Sequence, residues 1–320
     1  MNTGVDDDLL DEELRPIMLD QRARNALRPA LTTINPVTMR ARAAAEFEAW
    51  NSDPAEVAVV RDFSIDGPAC PIPVRLYDPR PGSTSGLLVY FHGGGWIIGD
   101  LDLEDGALRR IAVESGVKIL SVHYRLAPEH MFPAAIEDGE AVIRWAVDNA
   151  KDLGIDPAHI GVGGGSAGAN VALGTALRLR DAGGPALAHL LLLYGAFSGG
   201  EEVPSHRKFG DGRFGLPAAA MDFFWNVYLG DDRGHPHAVP LKADLSGLPP
   251  ALIMEAELDM LADESRMLAD RLRAAGGVAD HRVYVGAIHG FTQYSKASAL
   301  ARRALGEAAN EVAARLGAGR

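Results

Sequence analysis

From Val57 to the C-terminus, short β-rich apolar runs alternate with helical stretches, and this alternation restricts the possible folds more than any other feature of the chain. The runs fall at 57–63, 72–77, 87–92, 118–123, 160–163, 187–194, 251–257 and 282–286. Residues 87–89 and 119–122 are almost wholly apolar, as strands covered on both faces must be. Between the runs, 103–115, 134–149, 167–181, 262–275 and 294–316 read as helices, with Gly183-Gly184-Pro185 and Gly276-Gly277 as stops. Strands joined through helices predict a mainly parallel sheet with helices on both faces.

Two regions break the alternation. Residues 1–50 read as helix, with Leu9, Leu10, Leu14, Ile17, Met18, Phe47 and Trp50 at helical spacing and Pro16, Pro29 and Pro36 breaking the run. The stretch after residue 198 carries Phe209, Phe214, Met221, Phe223, Phe224, Trp225 and Tyr228 between two strands. The expected organisation is N-terminal cap helices at 1–50, a first part of the core at 51–198, a cap segment at 199–235 and the rest of the core at 236–320. The two odd regions are expected to form a lid over the C-terminal edge of the sheet.

A net charge of −12 argues against a nucleic-acid partner, because phosphates require a basic patch. The single cysteine, Cys70, permits no intrachain disulfide. An acidic start and the lack of a long apolar run predict a cytoplasmic chain without a membrane span.

The chemistry centres on Gly164-Gly165-Ser166-Ala167-Gly168, placed after a short strand and before a helix. In that context G-x-S-x-G is a sharp turn that exposes a nucleophilic hydroxyl. Upstream, His92-Gly93-Gly94-Gly95 ends another strand. Acyl transfer builds negative charge on a carbonyl oxygen, and backbone amides freed by glycine can hold it. Gly93, Gly94 and Ala167 are the expected donors. A serine nucleophile needs a base and an orienting acid, in the order Ser, acid, His. His289 follows the last strand, and Asp259 follows the strand at 251–257. Glu255, Glu257 and Asp263 are the rival acids. Trp96, Tyr194, Phe214, Phe224 and Ile288 are candidates to line an apolar substrate pocket, although such residues suit plain core packing equally well.

Gly163-x-Gly165-x-x-Gly168 also matches a dinucleotide fingerprint. That motif expects an acid at the end of the next strand, where this chain has Tyr194-Gly195-Ala196. A near-repeat of the elbow, Ala196-Phe197-Ser198-Gly199-Gly200, lacks the first glycine and reads as a loop. No His/Asp cluster has metal-ligand spacing, and the triad chemistry requires neither metal nor cofactor.

Together these residues resemble the hormone-sensitive-lipase-like family of bacterial esterases, within the α/β-hydrolase fold. The resemblance covers roughly residues 57–315. Its marks are His92-Gly93-Gly94-Gly95-Trp96, Tyr124-Arg125-Leu126-Ala127-Pro128-Glu129-His130 with Phe132-Pro133-Ala134-Ala135, the elbow, Leu258-Asp259-Met260-Leu261-Ala262-Asp263, and His289-Gly290-Phe291. It implies an eight-stranded, mostly parallel sheet with a helical cap, and short- to medium-chain carboxylic esters as small-molecule substrates. Amide or carbamate hydrolysis and acyl transfer use the same machinery, and a non-catalytic ligand receptor is a remoter reading; oligomeric state is left open, a homodimer included. Two positions depart from the family: Gly165 stands where Asp, or in one branch Thr, is usual, and Ala169 where Gly is usual. Gly165 is expected to remove a polar contact and to loosen the space behind the nucleophile.

Overall fold

The computed structural model describes residues 7–230 and 233–317. Its strands are β1 (Val59–Ile65), β2 (Ile72–Asp78), β3 (Ser85–Phe91), β4 (Lys118–Val122), β5 (Ile155–Gly165), β6 (His189–Leu193), β7 (Ala251–Leu258) and β8 (Ala279–Ile288). They form one sheet in the order β1-β2-β4-β3-β5-β6-β7-β8. The β1–β2 and β2–β4 pairs are antiparallel, and every later pair is parallel. All residues of β3, β4 and β6 are buried, which explains why these segments carry apolar runs rather than alternation.

The helices are α1 (Leu14–Ala26), α2 (Pro36–Asn51), α3 (Asp105–Ser115), α4 (Ala134–Asp148), α5 (Ala150–Leu153), α6 (Ala167–Asp181), α7 (Pro204–Phe209), α8 (Ala218–Leu229), α9 (Ala262–Ala274) and α10 (Ala299–Leu316). Helix α3 packs on α10 and α4 packs on α6, while α9 covers β7 and β8. Helix α6 lies against β3, β5 and β6, so it is buried along nearly its whole length.

Several boundaries differ from the sequence expectation for identifiable reasons. Strand β5 runs over Ile155–Gly165, not 160–163, because Ser85 pairs with Ile155 and the glycines pair with β6 up to Gly165–Leu193. Helix α1 continues through Pro16, which falls in the first turn where its missing N–H has no intrahelical partner. Pro36 opens α2 behind Asn35, whose side chain accepts from Thr38 N. The last helix begins at Ala299 rather than at Tyr294, because Ser298 caps it and residues Phe291–Tyr294 form a separate 3₁₀ turn.

Helix α1 is joined to the segment between β6 and β7, where Arg22 Nε donates to Arg213 O at 2.6 Å. Arg40 donates to the carbonyls of Ile97 and Ala127 and pairs with Glu129, and Asn51 bonds Leu103 O and Gly106 N. The segment between β6 and β7 is secured at both ends. Asn170, buried in α6, donates from Nδ2 to Ala196 O and to Ala238 O, each at 2.9 Å. Glu264, buried in the first turn of α9, accepts from Phe197 N, Ser198 N and Ser198 Oγ, and His206 Nε2 lies 2.8 Å away. The elbow-like segment at 196–200 is therefore a tied loop.

Candidate active site

Ser166 occupies the turn between β5 and α6 at φ 55° and ψ −121°, a conformation that non-glycine residues rarely adopt. Its neighbours show why the turn needs glycine. A Cβ on Gly164 would stand 2.3 Å from the Gly168 carbonyl carbon, and one on Gly168 would stand 2.0 Å from Phe91 O. The elbow is thus pressed against the end of β3, where the glycine loop starts. The Ser166 amide bonds Leu193 O at 2.9 Å, which ties the turn to β6 as well.

His289 follows β8, and its Nε2 lies 2.9 Å from Ser166 Oγ. Its Nδ1 lies 2.6 Å from Asp259 Oδ2, in the loop after β7. With a carboxylate on Nδ1, that nitrogen carries the proton and Nε2 is left to accept from the serine hydroxyl. Asp259 is buried and its other oxygen accepts from Leu261 N. The three side chains form one hydrogen-bonded line, with the acid inside and the serine facing a cavity. The rival acids are committed elsewhere: Glu255 to Arg266 and His281, Glu257 to Gly286 N, and Asp263 to Arg266 and Ser205 N.

The glycine loop is braced from below. Tyr124 donates to His92 O at 2.8 Å and stacks on the His92 ring, and Ala127 N bonds Trp96 O. Arg125 is anchored by buried Asp138 in α4. Residues 124–135 therefore hold the loop in place rather than joining the chemistry. Burial, with the nearby His123, pushes the His92 imidazole down to about 3, so it stays neutral here.

One expected donor is already engaged. The Gly93 amide donates to Glu104 Oε1 at 2.9 Å and is not free for an oxyanion. Gly94 and Gly95, at φ 113° and 59°, continue the loop along the cavity wall, with Ala167 beside them.

The cavity next to Ser166 measures about 190 Å³. Of the five pocket candidates, Trp96, Tyr194 and Phe224 line it. Phe214 does not: it is buried edge-on against Phe209, with ring centroids 5.5 Å apart. Ile288 does not either, because it ends β8 opposite Leu258 within the sheet. Gln21 and Phe47 from the N-terminal helices, Met221 from α8, and Gln293 and Tyr294 also line the cavity. Phe47 already stood out in the helical pattern of the sequence, but nothing in that pattern says what the helix docks against. Glu104, a buried carboxylate on the same wall, carries no local sequence signal at all.

A family model described as alpha/beta hydrolase fold matches residues 88–293. Among curated proteins the chain is similar to the carboxylic ester hydrolase LipN of Mycobacterium tuberculosis (strain ATCC 25618 / H37Rv), with 43% identity over 242 residues. That match takes in 72% of this chain and 64% of LipN, so it spans less than two thirds of LipN's own length. Esterase LipI of the same organism is 38% identical over 247 residues, covering 75% of this chain and 77% of LipI. Among solved structures, the ester-hydrolase EH1AB1 from the metagenome of Lake Arreo superposes with a TM-score of 0.90 at 38% identity. The superposition covers 95% of this chain and 98% of that one.

Proposed function

Since this chain belongs to the alpha/beta hydrolase fold family, we propose that it is a serine carboxylesterase that hydrolyses small carboxylic esters through an acyl-enzyme. The observation that carries the reading is the unbroken line Ser166–His289–Asp259, with distances of 2.9 and 2.6 Å, opening on a cavity. Ser166 Oγ attacks the ester carbonyl as His289 Nε2 takes its proton, and Asp259 holds the ring and balances the imidazolium. The amides of Gly94 and Ala167, with Gly95 in place of Gly93, receive the oxyanion. His289 then protonates the leaving alcohol, and water, activated by the same base, releases the acid.

Short- to medium-chain acyl groups suit a cavity of about 190 Å³ walled by Trp96, Phe224 and Met221. Membership of the hormone-sensitive-lipase-like branch is supported by the glycine loop and the bracing segment 124–135, which act on each other through Tyr124 and Ala127. Among the described residues no helix is long and apolar enough to cross a membrane.

The test is hydrolysis of p-nitrophenyl acetate, butyrate and octanoate, with a p-nitroanilide of the same acyl group alongside. Turnover of the esters well above the anilide, falling to background in Ser166→Ala, is expected. Faster anilide cleavage would move the reading to an amidase. Undiminished ester hydrolysis by Ser166→Ala would remove the nucleophile assignment altogether.

A further inference from the structure

We propose that Glu104 is a positioning residue for the esterase reaction, occupying the space left by Gly165 behind the nucleophile and fixing the glycine loop through the Gly93 amide. The proposal rests on the esterase reading above and deepens it.

The space that Gly165 leaves is not loose. A Cβ built there would meet Glu104 Oε1 and the Tyr194 hydroxyl, each at 3.3 Å. The same Glu104 oxygen lies 3.2 Å from a Cβ built on Gly93 and takes the Gly93 N–H at 2.9 Å. Its other oxygen takes the Tyr90 hydroxyl of β3 at 2.5 Å. The residue is 3% exposed, yet both oxygens have donors. It is also held firmly along the chain. Asp105, next to it, pairs with Arg75, Tyr77 and Arg109, and Asn51 of α2 clamps the chain on either side at Leu103 O and Gly106 N.

Three successive glycines have no side chains to fix their peptide planes, so their amides point at an oxyanion only if something outside the loop holds them. A buried acceptor on the first amide does this for the two that follow. Burial raises the affinity of Glu104 for a proton, while Tyr90, the Gly93 amide and His289 favour its charged form. Glu104 thus brings a carboxylate into the space behind the serine from the start of α3.

The two positions should therefore be coupled. An Asp at 165 would drive a second carboxylate into the volume that Glu104 fills, whereas with Glu104 cut back it would have room to take over. The experiment measures kcat, KM and melting temperature for the wild type, Glu104→Ala, Glu104→Gln, Gly165→Asp and the double variants combining Gly165→Asp with each change at 104, using p-nitrophenyl acetate. Glu104→Ala is expected to lower kcat about 100-fold with KM changed less than about 3-fold. Glu104→Gln, which keeps an acceptor for the Gly93 amide, is expected to recover about 10-fold of that loss. Gly165→Asp alone is expected to lower kcat at least about 10-fold, and Glu104→Ala/Gly165→Asp to exceed Glu104→Ala by about 10-fold. Additive effects of the two positions, or wild-type kcat in Glu104→Ala, would overturn the proposal. If Glu104→Ala does not fold, the cycle built on Glu104→Gln reads the same coupling, and additivity there is equally fatal. A wild type that hydrolyses no ester would instead overturn the esterase reading itself.

Discussion

Gly168→Ala adds one methyl group where the elbow has least room. The new carbon would stand 2.0 Å from Phe91 O and 2.5 Å from His92 O, both backbone atoms that cannot rotate away. Relief to an ordinary contact requires the start of α6 to withdraw from β3 by about 1 Å or more. That movement carries Ser166 and the Ala167 amide away from His289 and the glycine loop. A misplacement of about 1 Å is worth about 100-fold in rate. Overpacking of this kind also costs ~1–3 kcal/mol, which for a chain of this size lowers the melting temperature by roughly 5 °C. Gly183→Ala is the control: Gly183 has φ +61° and no atom within 4 Å of its built Cβ, so it carries backbone strain alone. That strain costs ~1–2 kcal/mol and leaves kcat unchanged. Initial rates on p-nitrophenyl acetate and thermal melts by circular dichroism measure both variants. A Gly168→Ala protein with the kcat and melting temperature of the wild type would refute this account of the elbow, and so would an equal loss of kcat in Gly183→Ala.

Two further outcomes are expected. Asp259→Asn keeps the volume of the acid but offers His289 Nδ1 an amide, which stabilises the wrong ring tautomer; kcat should fall about 10⁴-fold while the melt stays native-like, and a loss under about 10-fold would contradict the assigned role. Burial pushes His189 down to about 4, so the native state refuses a proton that the unfolded chain takes up near 6.5. Its contribution to stability is whole above that value and is lost as pH falls from about 6.5 to 4, by on the order of 3 kcal/mol. His189→Leu should shift the acid unfolding midpoint, followed by circular dichroism, to lower pH; an unmoved midpoint would show that other groups govern acid unfolding.

The parts of the site readable from the sequence are those built within one strand–turn–helix unit. Ser166, its flanking glycines and the helix after it are consecutive, and Asp259 and His289 each sit just beyond a strand, so chain order alone brings them to one edge. The sheet was readable for a similar reason, since burial on both faces leaves continuous apolar runs. What escaped depends on contacts between distant segments. The Gly93 amide is spent on a carboxylate from the start of α3, and the same carboxylate fills the space that Gly165 alone suggests is vacant. Phe214 and Phe224 are the same residue type in the same segment, yet one packs on Phe209 and the other reaches the cavity. Composition cannot separate them, because an aromatic ring gains as much from a core as from a pocket wall. The docking of α1 and α2, which delivers Gln21 and Phe47, rests on polar ties such as Arg22 to Arg213 O that have no local signature.

Asn170 fixes the base of the segment between β6 and β7. A single amide nitrogen, one turn beyond Ser166, touches Ala196 O, just after β6, and Ala238 O, ahead of the 3₁₀ turn that precedes β7. The stretch between Ala196 and Ala238 is thus closed at its base on one point of α6, and is tied along its length by Arg213 O to Arg22 and by His206 to Glu264. For a stretch closed in this way a doubling of length costs only ~0.6 kcal/mol of closure entropy. The base of this cover is therefore fixed independently of its length, whereas its inner face is not: Trp225 and Tyr228 of α8 pack on Trp96 at the end of the glycine loop, so an exchange of the roof is felt directly beside Ser166.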